Sequence, residues 1–331
     1  MDHQQTPVAG FSGRFSEADA FSATLLGGQF EYLPMPGQAF VARLEVLQLG
    51  HLIVQVSNQG AHTARGAMAA GISALIVPLR YAEAPARMNG SEVARSGAFL
   101  APGDMEFHCH CNAEIGWAAI ALPQAHLAAL AELAPPPIRV PGAAGVLALP
   151  DGPEQRLAAA MAAAAEMAVC QPEALYRPGC ATGLALSMAE LVAETLTAGS
   201  RLMSTPRATR EAHRVVRAAE DYLNAHLDQP IYRDQLCRVL GVSLRKLHDA
   251  FIATVGMSPQ AYLKTRRLML TRRALQAAGT APALVKSVAL AHGFWHLGHF
   301  ARDYRAQFGE CPSATLGTGG KALPHPPRRA A

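Results

Sequence analysis

The stretch Tyr232-Arg-Asp-Gln-Leu-Cys-Arg-Val-Leu-Gly-Val-Ser-Leu-Arg-Lys-Leu-His-Asp-Ala-Phe251 decides how the C-terminal third of the chain is read. Its apolar residues Leu236, Leu240, Leu247, Ala250 and Phe251 fall at helical spacing on both sides of Gly241, so two short helices can share one small core. Glycine fits a helix end that turns through positive φ, and Ser243 accepts from the free N–H groups that open the next helix. With Leu247 and Phe251 inward, Arg245, Lys246, His248 and Asp249 point outward.

The pattern recurs. Leu284-Val-Lys-Ser-Val-Ala-Leu-Ala291 is followed by the turn His292-Gly293-Phe294 and the helix Trp295-His-Leu-Gly-His-Phe-Ala-Arg-Asp-Tyr-Arg-Ala-Gln-Phe308. Phe300, Tyr304 and Phe308 lie at i, i+4 and i+8 and share the buried face, leaving His296, Leu297, Gly298, His299, Arg302 and Arg305 on the first turns and outer flank. Between the copies, Ser258-Pro259 supplies an N-cap with proline at the first helical position. The helix it opens runs to about Ala278, a strut near 30 Å long at about 1.5 Å per residue. One turn of B-DNA is about 34 Å, so the strut can hold two recognition helices in successive major grooves.

Charge agrees with this reading. The net +4 of the 331-residue chain divides unevenly: residues 206–331 hold 19 Lys/Arg against 8 Asp/Glu, a net of +11, and residues 1–205 carry −7. A basic half joined to an acidic one is the footprint of a nucleic-acid module attached to something else.

Gly256-Met-Ser-Pro-Gln-Ala-Tyr-Leu-Lys-Thr-Arg-Arg-Leu268, Val288-Ala-Leu-Ala-His-Gly-Phe294, Phe300-Ala-Arg302 and Phe308-Gly-Glu-Cys-Pro-Ser313, in this order and spacing, resemble the AraC family of transcription regulators. The resemblance spans about 110 residues of this chain, Arg207 to Leu316. It implies a seven-helix DNA-binding domain attached to a variable effector or dimerisation domain, acting on RNA polymerase near a promoter. By position, the family's base-contacting places fall on Leu244, Arg245, His248 and Asp249, and on His296, Leu297, Gly298 and Arg302. Gly298 stands where the family commonly has a small polar residue. The DNA-facing set is therefore Ser243, Leu244, Arg245, Lys246, His248 and Asp249 in the first unit, and Trp295, His296, Leu297, Gly298, His299 and Arg302 in the second. Arg245 and Arg302 can bond guanine or a phosphate, whereas Asp249 suits only a cytosine amine or an arginine partner. Leu297 and Gly298 cannot hydrogen-bond bases through side chains, so the first unit is expected to carry most of the discrimination. Arg267, in the strut, is expected to anchor the two halves.

The N-terminal half has a different texture. Short apolar runs such as Leu52-Ile-Val-Gln-Val56, Ala74-Leu-Ile-Val-Pro78 and Gly116-Trp-Ala-Ala-Ile120 are separated by Gly, Pro and Asn breaks, which predicts a compact antiparallel barrel or sandwich. Gly97-Ala-Phe-Leu-Ala-Pro-Gly103 resembles the strand and turn of a cupin-like barrel. His108, His110 and Glu114 echo the HxHxxxE ligand string of metallocupins, with His51 or His62 as the further histidine; the plainer reading is an edge strand with solvated histidines. A barrel of this size can enclose one small ligand. After Pro123 alanine-rich helices are expected at Gln124 to Leu133, Pro153 to Val169 and Thr182 to Ala198, the last with a stripe of Leu184, Met188, Leu191, Val192 and Leu196. Such a stripe is intramolecular core more often than a subunit seam, and a homodimer through it is the alternative.

The fold class is α+β and multidomain: a lead at 1–24, partly disordered; a cupin-like antiparallel β barrel at 25–122; a helical connector, with dimerisation as its alternative role, at 123–205; an all-α double helix-turn-helix at 206–316; and a disordered tail at 317–331. No membrane span or signal peptide is read, and six scattered cysteines without CxxC spacing suit free thiols in the cytoplasm. The functional expectation is a regulator that binds promoter DNA and responds to a small-molecule effector, not an enzyme, with no cofactor. Its alternatives are an effector-independent regulator with an N-terminal dimerisation domain and a cupin-type metalloenzyme with a DNA-binding tail.

Overall fold

The computed structural model describes residues 8–80, 85–133, 144–150, 152–199, 203–227, 229–278 and 283–317. The chain divides into two units, one of Met1–Tyr32 with Val41–Pro206, the other of Leu33–Phe40 with Arg207–Ala331. Among the described residues no helix is long and apolar enough to cross a membrane.

The first unit opens with β1 (Val8–Phe15), α1 (Ala18–Thr24), β2 (Gly28–Pro34), β3 (Ala42–Leu49), β4 (Leu52–Gln59), β5 (His62–Met68) and β6 (Ile72–Arg80). It continues through β7 (Arg87–Met88), β8 (Ser91–Glu92), β9 (Gly97–Ala101), β10 (Glu106–Cys111) and β11 (Ile115–Pro123). Then follow α2 (Gln124–Leu133), β12 (Gly145–Ala148), α3 (Pro153–Cys170), α4 (Pro172–Leu175) and α5 (Cys180–Ala198). The strands pair as a seven-stranded sheet, β1-β3-β4-β11-β6-β9-β12, and a five-stranded sheet, β2-β5-β10-β7-β8, antiparallel as expected.

Because side chains alternate along a strand, each central strand of the larger sheet feeds two cores. Leu75 and Val77 of β6, Leu100 of β9, and Ala118, Ile120 and Leu122 of β11 join Leu157, Met161, Met188, Val192 and Leu196 of α3 and α5. The alternate residues Ala74, Phe99, Ala101 and Ala121 join Met68, Met88 and Phe107 of the smaller sheet. The stripe on α5 is thus buried within the unit. The helices of 123–205 are an integral layer on the larger sheet, rather than a separate connector, because their apolar faces cover its outer side.

Other expectations change as well. Residues 8–24, read as part of a loose lead, form β1, paired along its length with β3, and α1, anchored by the fully buried Phe21. Gly10 and Gly13 break the alternation that would have announced the strand. β12 pairs with β9 inside the stretch expected to be helical. β10 is an interior strand between β5 and β7, and its His108 and His110 are buried rather than solvated. The tail beyond residue 317 lies outside the described residues.

The second unit is helical: α6 (Arg207–Ala225), α7 (Arg233–Leu240), α8 (Leu244–Val255), α9 (Pro259–Ala277), α10 (Ala283–Ala291), α11 (Leu297–Phe308) and α12 (Pro312–Gly317). Seven helices is the number the family resemblance implies. Leu236, Leu247, Ala250 and Phe251 are buried as one face, and Phe300 and Tyr304 pack with Leu268, Leu275 and Leu316 in the other half. α9 buries residues around its circumference, among them Tyr262, Thr265, Leu268 and Arg272, since both halves pack on it. Several polar groups at these seams are paired: the Tyr262 hydroxyl donates to Glu220 at 2.5 Å, Arg266 to Asn224 at 2.6 Å, and Arg272 pairs with Glu310 at 2.9 Å. Leu33–Phe40 is held in this unit by the buried Gln307, which donates to the carbonyls of Met35 and Gln38 and accepts from the Gly37 N–H.

Gly293 is a tight point of this helical unit. Its φ is +78°, and a Cβ there would stand 2.6 Å from the Pro230 ring, so no other residue fits without a shift. Gly298, by contrast, has nothing within 4 Å of the same position and an ordinary helical backbone. Gly293→Ala is therefore expected to lower the unfolding free energy by about 1–3 kcal/mol through backbone strain alone. Gly298→Ala should raise it by up to about 1 kcal/mol through helix entropy. Urea denaturation of the two variants beside the parent checks the opposite signs.

Candidate nucleic-acid interface and ligand cavity

α8 owes its position to the turn before it. Gly241 ends α7 in the left-handed region at φ +63°, and the Ser243 hydroxyl accepts from the Lys246 N–H at 3.2 Å, capping α8 as its sequence requires. The buried stripe of α8 then turns Ser243, Leu244, Arg245, Lys246, His248 and Asp249 to solvent, every one of them exposed. The arginine projects furthest, its side chain 92 % exposed, with its Nε 3.8 Å from Asp249 one turn on. Lys246 leans the other way and donates to Glu211 of α6 at 2.7 Å. Glu211 also accepts twice from Arg214, and these two cations hold its carboxyl at about 2, well below the usual range. The pair is 35 residues apart in sequence, so only the fold reveals it.

In the second half the turn at Gly293 places Trp295, His296, Gly298, His299 and Arg302 in solvent. Trp295 is 67 % exposed and its Nε1 donates to the Tyr232 hydroxyl at 3.4 Å. Leu297 differs from its neighbours in packing against the core around Phe300 and Tyr304, so it braces the helix start. The rings of His296 and His299 lie 5.8 Å apart on the first turn, and the Arg302 side chain is 72 % exposed with its Nε 4.0 Å from Asp303.

Arg267 joins the halves. Its guanidinium lies 5.3 Å from the ring centroids of both Tyr232 and Phe294 and donates to the carbonyls of Gly293 and Leu263, each at 3.3 Å. Burial pulls its pKa below the ordinary arginine value. The aromatic faces and carbonyls offset the desolvation that an unaccompanied cation would suffer.

The first unit encloses a cavity of about 80 Å³ between its sheets, lined by Leu25, Phe30, Met68, Met88, Phe99, Phe107 and other apolar groups, with Tyr32, Gln59 and His62 at one side. His62 Nδ1 lies 2.8 Å from the Gly60 carbonyl. A carbonyl only accepts, so Nδ1 carries the proton and Nε2 accepts from the Gln59 amide at 3.3 Å. Burial lowers the His62 pKa to about 4, raises the Tyr32 phenol and pushes the Cys109 thiol well above its ordinary value, so all three are neutral.

The metallocupin echo does not assemble here. Phe107 and Cys109 face the cavity, so His108 and His110 face away by alternation, and Glu114 is exposed in the turn before β11. Among the described residues no three His, Cys, Asp or Glu side chains come together as a metal site.

A family model described as a helix-turn-helix domain matches residues 236–318. Over 104 residues the chain is 40 % identical to a probable thc operon regulatory protein of Rhodococcus erythropolis, covering 31 % of each. Over 95 residues it is 36 % identical to XylDLEGF operon transcriptional activator 2 of Pseudomonas putida, covering 29 % of this chain and 60 % of that one. The match thus spans about a third of the first of these relatives and less than two thirds of the second. A solved structure, a probable AraC family transcriptional regulator from Rhodopseudomonas palustris CGA009, is 42 % identical over 32 % of this chain and 97 % of that one, with a TM-score of 0.29. Through the domain that carries its two helix-turn-helix units, the chain belongs to the AraC family of transcription regulators.

Proposed function

We propose that the chain is a cytoplasmic, sequence-specific regulator of transcription, without enzymatic activity, that binds promoter DNA through α8 and α11 and answers to a small molecule held in the cavity of the first unit. The observation that carries this is the doubled, outward array of Arg245 and His248 on α8 and His296, His299 and Arg302 on α11, joined by α9. At 19 residues, α9 is about 28 Å long, near the spacing of successive major grooves on one DNA face. RNA polymerase is the proposed partner on DNA, as the regulatory names of the relatives support. A second copy of the chain is the proposed partner of α5, whose outward side exposes Leu186. The free thiols of all six cysteines suit a reducing compartment.

The roles divide by chemistry. In this reading Arg245 donates in bidentate fashion to guanine, with Asp249 one turn away at 3.8 Å. Arg302, His296 and His299 are placed for phosphates and groove edges, and Gly298 leaves open space where a base edge or methyl group can approach.

DNA selected from a random pool by the full-length chain, followed by fluorescence anisotropy, tests the reading. Arg245→Ala is expected to weaken the selected site about 5- to 150-fold and to relax preference at one base pair. Arg302→Ala should weaken all sequences more evenly and flatten the dependence of log affinity on log salt by about one. No binding to any member of the pool at low salt would overturn the proposal.

The ion pair with Glu211 gives a further check. Glu211→Gln releases Lys246, so low-salt affinity is expected to rise and the salt slope to steepen by about one, with the larger gain on non-selected DNA. An unchanged slope would show that Lys246 stays away from phosphate even when freed.

A further inference from the structure

Among the residues that line the cavity of the first unit, Gln59 carries a buried polar atom that its surroundings leave unused. Gln59, 2 % exposed, directs its amide N–H groups to His62 Nε2 and the Tyr32 hydroxyl, while its Oε1 is buried and accepts no hydrogen bond. Exchanging the amide O and N would not repair this. Nδ1 of His62 must keep its proton for Gly60, so a second ring proton would make a buried cation. Leaving a buried acceptor unmade is costly, and this one belongs to a residue lining a mainly apolar space.

We infer that the cavity takes a compact, uncharged, mainly apolar ligand bearing a single hydrogen-bond donor, of the alcohol or phenol class, whose hydroxyl donates to Gln59 Oε1. Anions fit poorly. The lining cation, Arg65, is paired with Glu106 at 2.9 Å, and His62 is neutral. Sugars fit poorly too, because each hydroxyl needs a partner and the neighbouring Gln55 already binds the Leu26 backbone with both ends of its amide. Size sets a further limit: about 80 Å³ is less than the roughly 150 Å³ of an apolar cavity that binds benzene. A single ring is therefore admitted as the flexible Met68 and Met88 change rotamer, and larger ligands are not.

This rests on reading the first unit as the effector domain, and the test separates the two. Full-length protein is titrated at neutral pH with phenol, toluene, benzoate and glucose, followed by thermal shift, since a ligand of the folded state raises the melting temperature. Phenol is expected to bind at least tenfold tighter than toluene, with benzoate and glucose giving no shift. In Gln59→Leu the phenol preference should fall below threefold while toluene still binds, which shows the cavity intact; if that variant unfolds, Gln59→Met carries the same comparison. A shift from benzoate or glucose equal to that from phenol, an undiminished preference in the Gln59 variants, or no binding by any of the four would overturn the ligand class. The effector reading is judged apart, by anisotropy on selected DNA with and without phenol: binding through Gln59 that leaves DNA affinity unchanged upholds the ligand class and overturns the effector role.

Discussion

Two recognition helices read one DNA molecule only if the distance and angle between them are fixed, and here that constraint falls on Arg267. Its guanidinium sits between Tyr232, the residue before α7, and Phe294, in the turn before α11, so one side chain of α9 touches the entry to both helix-turn-helix units. Arginine suits the position because a planar, weakly hydrated cation stacks on rings and bonds carbonyls at once. The close approach of Gly293 to Pro230 belongs to the same joint, since any side chain at 293 would push the second turn away from the first. Both halves are thus fastened to α9.

In the first unit the corresponding constraint is the period of two. Positions of β6 and β11 that face the helices are Leu75, Val77, Ala118, Ile120 and Leu122, whereas those that line the cavity include the small Ala74, Ala119 and Ala121 beside Ile76 and Trp117. Small residues on one face of two adjacent strands leave space that the rings of Phe30, Phe99 and Phe107 do not fill. The cavity thus owes part of its space to these three alanines, and its polar corner arises because β4 ends at Gln59 and β5 begins at His62, three residues on.

What could be read from the sequence follows from how local each signal is. The caps at Ser243 and Ser258, the positive-φ glycines and the stripes through Phe251 and Tyr304 depend on neighbours within a turn or two, and each stands where its pattern requires. The apolar runs Leu52–Val56 and Ala74–Pro78 likewise announced strands, but neither the pairing of β1 with β3 nor that of β12 with β9 has a local signature. The His-Cys-His-Cys run was legible as a strand and not as a central one, because its place in the sheet is decided by the pairing partners β5 and β7. The helices of 153–198 were visible by composition, and their partner, the outer face of the larger sheet, was not. Gln59 escaped notice altogether: a glutamine at a strand end is ordinary until its neighbours are placed.

The least legible feature bears most on recognition. Each outward cation of the DNA-facing set has a carboxylate near it: Asp249 beside Arg245, Glu211 beside Lys246, Asp303 beside Arg302. The second of these is close and hydrogen-bonded, the others looser at 3.8 and 4.0 Å. Surface pairs of this kind contribute little to stability, so their consequence lies in binding. A phosphate approaching such a cation meets the carboxylate as well, which weakens the sequence-independent attraction that a net charge of +11 would otherwise give. A guanine edge repels the carboxylate less than a phosphate does, because it offers oriented acceptors without a full charge. Discrimination is a difference of affinities, and an acidic neighbour that penalises phosphate more than base edge widens that difference. The effect is largest where the carboxylate travels with the cation on the same helix, as Asp249 does with Arg245 on α8 and Asp303 with Arg302 on α11, so under the proposed DNA-binding reading it acts on both helices.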